Sequence, residues 1–261
     1  MKVVLFCGGM GMRMREVSSE LPKPLIPVCG LPIVGHLMKY YIYQGFDDFI
    51  LCLGHLGRTF HDYFELHQVA EESRDAMGNR VLEVQLPGDG PARCRITLAD
   101  TGQISSVGMR LKNVQSLLQD EPVFQANYAD ALADLMLREE LSRFLASDKL
   151  VAFGTVRPRQ TFHIIRTNPD GEVQAIDEMA TSGVRVNGGF FFMRREFLTY
   201  IHEGEDLLYE PMERLIAEKK VTTYEHNGFW ACMDTLKDKL EFDERCARDE
   251  MPWQLWRNEQ P

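Results

Sequence analysis

The chain opens with MKVVLFCGGMGMR, Met1–Arg13, and the reading of this stretch decides the rest. Lys2 to Phe6 is a short β-rich run that ends in glycines. Pro32 to Tyr43 is amphipathic, and Asp48 to Gly54, DFILCLG, is a second strand-like run. The order strand, helix, strand predicts a right-handed parallel crossover, which places the loop after the first strand at the carboxyl edge of a sheet, where α/β folds bind ligands. That loop is Cys7–Arg13, CGGMGMR. Gly8, Gly9 and Gly11 would let backbone N–H groups approach phosphate oxygens, and Arg13 would offset their charge. A plain glycine-rich turn explains the same residues. The loop has neither the G-K-[ST] of a P-loop nor the spacing of the dinucleotide fingerprint, so a dinucleotide-dependent oxidoreductase is disfavoured.

Composition bounds the alternatives. The chain has 261 residues, 44% of them hydrophobic, enough for one α/β domain with a substantial core. With 29 Lys and Arg against 39 Asp and Glu, the net charge is −10, and a nucleic-acid backbone would be repelled. No apolar run approaches the roughly 20 residues of a membrane span, and MKVVLF is too short for a secretory signal, so a cytoplasmic protein is expected. The six cysteines show no C-x-x-C pair, which favours reduced, mostly buried thiols. His55, His61 and His67 are six apart and turn through different helical faces, which speaks against a histidine metal site.

Further along, a helix is expected over Gly57 to Leu66. A hairpin inserted at about 67–98 follows, where Leu82, Val84 and Leu86 alternate with polar residues, as do Ile96 and Leu98 beyond PGDGPAR. Helical MRLKNVQSLL, strand-like PVFQANY, a helix over Leu137 to Ala146 and the strand KLVAFGTV continue the α/β alternation to about residue 156. HIIRTNPDGEVQAID then reads as a hairpin around Asn168 to Gly171, and VNGGFFFM as a strand.

In LPKPLIPVCGLPI, Lys23 lies between two prolines that are expected to hold its backbone extended. Ten residues after the glycine loop, it can return to the same phosphate site. A G-G-x-G-x-R followed by P-K-P resembles the signature of the sugar-1-phosphate nucleotidyltransferases. DDFILCLGHLG, ITLADTG, MRLKNV, NYADALAD, VNGGFFF, GFWACMDTLKDK and PWQLW resemble, in order and spacing, its glucose-1-phosphate cytidylyltransferase branch. The likeness covers nearly the whole chain. It implies one Rossmann-like α/β domain over 1–261, with a mixed, mostly parallel sheet flanked by helices and an acceptor-binding part at about 157–240.

The resemblance also implies the chemistry. A sugar-phosphate oxygen attacks the α-phosphorus of a nucleoside triphosphate, CTP in this branch, and pyrophosphate leaves. The protein supplies positioning and positive charge, and Mg²⁺ needs one or two carboxylates beside phosphate oxygens and waters. By position, Asp130 and Asp234 match the family's metal-binding aspartates, while Asp134 and Thr235 beside them suit local capping. Gly8, Gly9, Gly11 and Arg13 would meet the nucleotide, Lys23 the α-phosphate or leaving pyrophosphate, and Arg110 the base or phosphates. Glu178, Asn187 and Gly188 would face the sugar. Oligomerisation is implied as well, and the 67–98 insertion could form a lid or an interface.

The chain departs from the family around the ligand. Family members carry E-K-P where this chain has Glu178-Met179-Ala180, so the lysine for the acceptor phosphate is missing, and Arg185, Lys23 or the metal must meet that charge. Ala129 and Ala131 replace glycines beside Asp130, Met12 stands where Thr is common, and Val107 and Met109 precede Arg110. Such clustering predicts either a changed substrate, another nucleotide or a different phosphorylated or phosphonate acceptor, or an inactive nucleotide-binding paralogue. Retention of Arg13, Lys23, Asp130 and Asp234 favours an enzyme.

Overall fold

A computed structural model describes residues 1–9, 20–66, 69–159, 162–179 and 182–257. Gly11 and Arg13, with Met10 and Met12, lie outside the described residues. The first half contains β1 (Lys2–Phe6), β2 (Pro27–Val28), β3 (Leu31–Pro32), α1 (Ile33–Tyr43), β4 (Asp48–Leu53), α2 (Arg58–Glu65), β5 (Val69–Arg74), β6 (Arg80–Gln85), β7 (Arg93–Asp100) and α3 (Val107–Asn113). The second contains β8 (Val123–Tyr128), β9 (Ala131–Ala133), α4 (Leu137–Leu145), β10 (Val151–Val156), β11 (His163–Thr167), β12 (Val173–Glu178), β13 (Val186–Arg194), α5 (Glu210–Ala217), β14 (Val221–Glu225), β15 (Trp230–Cys232) and α6 (Leu236–Ala247).

Nine strands form the central sheet in the order β14-β10-β13-β8-β1-β4-β7-β6-β5. Its middle, β8-β1-β4-β7, is parallel throughout, and only β13 and β6 run against the other seven strands. The α/β expectation of a mixed, mostly parallel sheet therefore holds. Successive residues of β1 enter opposite cores: Val3 and Leu5 pack on one face with Phe49 and Leu51, and Val4 and Phe6 on the other with Ile50 and Cys52. A strand buried on both sides needs a continuous apolar run, which is why VVLF carries no polar alternation. Both α1 and α4 cover the first face, while α3 and α5 cover the second.

Between β4 and β8, which flank β1 on either side, the chain direction switches, so the end of β1 opens into the crevice of a doubly wound sheet. The hairpin expected at 67–98 is present, with Leu82 opposite Ile96 and Val84 opposite Cys94; β7 also pairs parallel with β4 and so is itself a core strand, and β6 and β5 extend the same sheet by antiparallel pairing. The two-stranded β11–β12 sheet is separate, with Ile165 opposite Ile176 and both exposed.

The cysteines hold a correction. Cys29 and Cys246 form a disulfide with Cα atoms 5.6 Å apart, joining the β2–β3 turn to the end of α6. Cys7, Cys52, Cys94 and Cys232 are free thiols. No described helix is long and apolar enough to cross a membrane.

Candidate active site

Three charged side chains far apart in sequence meet at the carboxyl edge. Lys23 Nζ donates to Asp130 Oδ2 at 2.7 Å and to Asp234 Oδ1 at 2.5 Å. Each reaches the junction by a local rule. Pro22 and Pro24 do not keep Lys23 extended, as expected above; Lys23 opens a one-turn 3-10 helix, Lys23–Leu25, anchored by buried Pro24 and Leu25. A proline inside the first turn costs no helical hydrogen bond, so this turn is compatible with Pro24. Asp130 follows β8 directly. Asp234 is brought beside it by a short antiparallel ladder, in which Cys232 pairs with Ala131 and Met233 N–H donates to Asp130 O at 2.9 Å.

Thr235 caps α6 through a capping box: its hydroxyl accepts from Asp238 N–H, and the Asp238 carboxylate accepts from Thr235 N–H. The same carboxylate accepts from Asp234 N–H at 3.0 Å. Boxes of this kind stabilise a helix start by about 1 kcal/mol; here the box also fixes the backbone of Asp234. The local capping role expected of Thr235 is present; Asp134 instead makes a long-range contact, its Oδ1 accepting from Phe229 N–H at 2.8 Å.

Burial would lower the affinity of Lys23 for its proton, but the two carboxylates outweigh it and hold the pKa above the ordinary value. The lysine is therefore a fixed cation. Its side chain is 17% exposed and that of Asp234 41%, so the junction is open on the Asp234 side. Cys232, whose thiol is pushed up to about 12 chiefly by burial, lies 3.5 Å from Asp234 Oδ2 and stays protonated.

The glycine loop divides into two kinds of glycine. A Cβ on Gly8 would stand 2.2 Å from an Arg110 guanidinium nitrogen, and one on Gly54 would stand 2.5 Å from it. A Cβ on Gly9 would meet nothing within 4 Å among the described residues. Gly8 thus makes room for an arginine beneath it, and Gly9 leaves its backbone open to a ligand. Arg110, expected at the base or phosphates, is 2% exposed; its terminal nitrogens donate to Leu53 O, Thr101 Oγ1, Gly102 O and Gln103 O, and its buried Nε has no partner among the described residues. It supports the loop from below.

The residues expected at the acceptor are dispersed. Asn187 Nδ2 donates to Tyr128 OH at 3.2 Å, at the start of β13. A Cβ on Gly188 would stand 2.8 Å from Val156 Cγ1, and Gly188 O accepts from Trp230 Nε1, so packing already requires this glycine. Glu178 is exposed at the end of β12, opposite His163. Arg185 is held by Thr155 O, His226 O, Asn227 Oδ1 and Glu225 Oε2. It acts as a strand clamp and is not among the residues around the cavity beside Asp234.

That cavity, about 640 Å³, runs along α6. Asp234, Asp238, Glu241 and Arg245 line one wall, and Arg159 and Trp230 are also among the lining residues, Arg159 in contact with Glu241. Arg159 and Arg245 were not singled out from sequence. The available signal was the stripe Asp234, Asp238, Glu241, Arg245, whose spacings of four, three and four keep one helical face.

Comparison with known proteins agrees with this architecture. The family model described as nucleotidyl transferase matches residues 2–246. A "Probable glucose-1-phosphate cytidylyltransferase" of Bacillus subtilis is 31% identical over 267 residues, spanning 98% of this chain and 100% of that protein. The glucose-1-phosphate cytidylyltransferase of Salmonella typhimurium is 31% identical over 261 residues, again over 98% and 100%. Among solved structures, a UDP-glucose pyrophosphorylase from Acinetobacter baumannii superposes with a TM-score of 0.66 at 15% identity, covering 98% of this chain and 96% of that one.

Proposed function

The chain belongs to the sugar-1-phosphate nucleotidyltransferase family, and from that premise we propose that it transfers the cytidylyl group of CTP to a sugar 1-phosphate, with α-D-glucose 1-phosphate as the reference acceptor. The acceptor phosphate oxygen forms a bond to the α-phosphorus, the bond from that phosphorus to the bridging oxygen breaks, and pyrophosphate leaves with the electron pair. The choice of CTP and glucose 1-phosphate rests on the two cytidylyltransferase relatives, both similar over their whole length.

The observation that carries the reaction class is the junction of Lys23 with Asp130 and Asp234. Two carboxylates already share a cation there, the ammonium of Lys23. Two hard anionic ligands with an open side suit Mg²⁺, which keeps waters and phosphate oxygens in its remaining positions. Bound there, Mg²⁺ would neutralise charge on the phosphates as pyrophosphate departs. Asp130 and Asp234 would hold it, and Lys23, displaced from between them, would turn to the α-phosphate or leaving group. Gly9 offers backbone to the nucleotide, with Arg110 behind the loop as an electrostatic support. Cys232, neutral and beside Asp234, adds no competing charge.

Pyrophosphate release measured with CTP, UTP, GTP, dTTP and ATP against several sugar phosphates and phosphonates tests the reading. Turnover is expected with CTP, Mg²⁺ and a sugar 1-phosphate. Turnover confined to phosphonates would replace the acceptor, and tight CTP binding without turnover for any acceptor would overturn the transfer.

A further inference from the structure

The cavity beside Asp234 carries a charge pattern that a neutral sugar does not call for. Asp238 is spent on the capping box, accepting from the N–H groups of Asp234 and Thr235 and from the Thr235 hydroxyl. Glu241 is shared between Arg159 at 3.5 Å and Lys237 at 3.9 Å. Arg245, half-buried on the same wall, has no carboxylate within ion-pair distance among the described residues; its guanidinium stands 5.0 Å from the Phe229 ring centroid. The guanidinium of Arg159 is 6.0 Å from the same ring. The lining as a whole is balanced, Arg159, Lys237 and Arg245 against Asp234, Asp238 and Glu241, but past Asp238 along α6 it holds Arg245, with Arg159 nearby, against Glu241 alone. A half-buried guanidinium left unmatched in an acidic protein marks a place for an anion.

Position along α6 says which part of a ligand that anion would be. At about 1.5 Å per residue, Glu241 and its partner Arg159 lie about 10 Å down the helix from Asp234, and Arg245 lies about 16 Å down it. The phosphate of an acceptor must be at the Asp234 end to reach the α-phosphorus. The cationic wall thus faces the far end of the acceptor, and long arginine side chains can reach back toward it. Trp230 and Phe229 also line the cavity, Phe229 at the arginine end, and supply apolar surface on which a sugar ring can rest.

We propose that the preferred acceptor is an acidic sugar 1-phosphate, of the hexuronic type, whose carboxylate is held by Arg245 together with Arg159. This rests on the nucleotidyl-transfer reading and narrows its substrate class. A planar guanidinium receives a carboxylate through two parallel N–H···O bonds, which a hydroxymethyl group cannot reproduce. Arg159 would contribute less, because Glu241 already occupies part of its donor set.

The test compares α-D-glucuronic acid 1-phosphate with α-D-glucose 1-phosphate and α-D-glucose 1,6-bisphosphate in CTP-dependent pyrophosphate release. The uronate is expected to show a KM at least ten-fold below that of glucose 1-phosphate. Arg245→Met should raise the uronate KM at least ten-fold more than it raises that of glucose 1-phosphate, and Arg159→Met should do so by a smaller factor. Glu241→Gln, which frees Arg159, should lower the uronate KM. Equal KM values, a preference for the bisphosphate, or an Arg245→Met effect shared by both sugars would each overturn the acidic acceptor while leaving nucleotidyl transfer standing. If no acceptor is turned over, transfer itself fails. Calorimetric titration of the uronate against glucose 1-phosphate then reads the wall directly, and equal binding overturns the inference.

Discussion

Two groups of charge along α6 follow opposite rules. At its start, one ammonium sits between two carboxylates within 2.7 Å of each, and every charge has a partner. Three turns further on, Arg245 faces a cavity with no carboxylate of its own. The first group can accept a cation only by exchanging the one it holds, whereas the second can accept an anion by addition. Arg110 marks the limit of this contrast. It too lacks a carboxylate among the described residues, yet three carbonyls and the Thr101 hydroxyl accept from its two terminal nitrogens, and Nε alone is left without a hydrogen bond beneath Gly8.

Breaking the matched group should have the largest effect. Asp130→Asn and Asp234→Asn are each expected to lower kcat by about three orders of magnitude, with little change in the melting temperature. Loss of Mn²⁺ binding by calorimetry should accompany the loss of rate, and retained rate in either variant would remove that carboxylate from the site. Lys23→Met should lower turnover by about two orders of magnitude while tightening Mn²⁺ binding to the free protein about ten-fold, because a competing cation has gone. Paramagnetic resonance of the free ion would show it; unchanged affinity would mean that ammonium and metal occupy different places.

A smaller effect sharpens the case of Arg110. Gly8→Ala must push the guanidinium aside and should cost about 1–3 kcal/mol of stability, whereas Gly9→Ala, whose methyl meets none of the described residues, should leave thermal unfolding unchanged and affect only nucleotide binding. The smallest effect lies behind the cationic wall, where His226 Nε2 meets Asp134 Oδ1 at 2.9 Å. Burial lowers the pKa of this histidine, but the Asp134 carboxylate and the Phe229 carbonyl together raise it above its ordinary value. Its contribution is then fully present below the unfolded pKa near 6.5 and is lost as pH rises through the folded pKa. The gap in melting temperature between wild type and His226→Gln should accordingly be wider at about pH 5.5 than at about pH 9. An equal gap at both would leave the pair without a charge component.

Legibility in the sequence follows the range of the interaction. The crossover β1-α1-β4 could be read from the runs VVLF and FILCL and one amphipathic segment, since burial on both sheet faces writes itself into consecutive residues. The alternation of Leu82, Val84, Ile96 and Leu98 revealed strands, but not that β7 joins the core, because its parallel partner β4 is set by tertiary packing. Resemblance, not spacing, singled out Asp130 and Asp234; their approach to Lys23 spans 107 and 211 residues. The burial of Arg110 was hidden for a related reason, as an arginine that satisfies its donors on backbone carbonyls looks in sequence like one awaiting a phosphate. The pairing of Cys29 with Cys246, separated by 217 residues, likewise has no local signature.

That disulfide makes most of the chain a covalent ring. A single protease cut anywhere between Cys29 and Cys246 would leave the oxidised protein in one piece on a denaturing gel, and two fragments would separate only after reduction. Lys23 and Asp234 both lie just beside the clasp in the chain's course, the first on the turn leading to Cys29 and the second at the start of the helix that ends next to Cys246. A nicked molecule is therefore expected to keep the Lys23 ammonium and the Asp234 carboxylate in register long after the backbone between them has been opened.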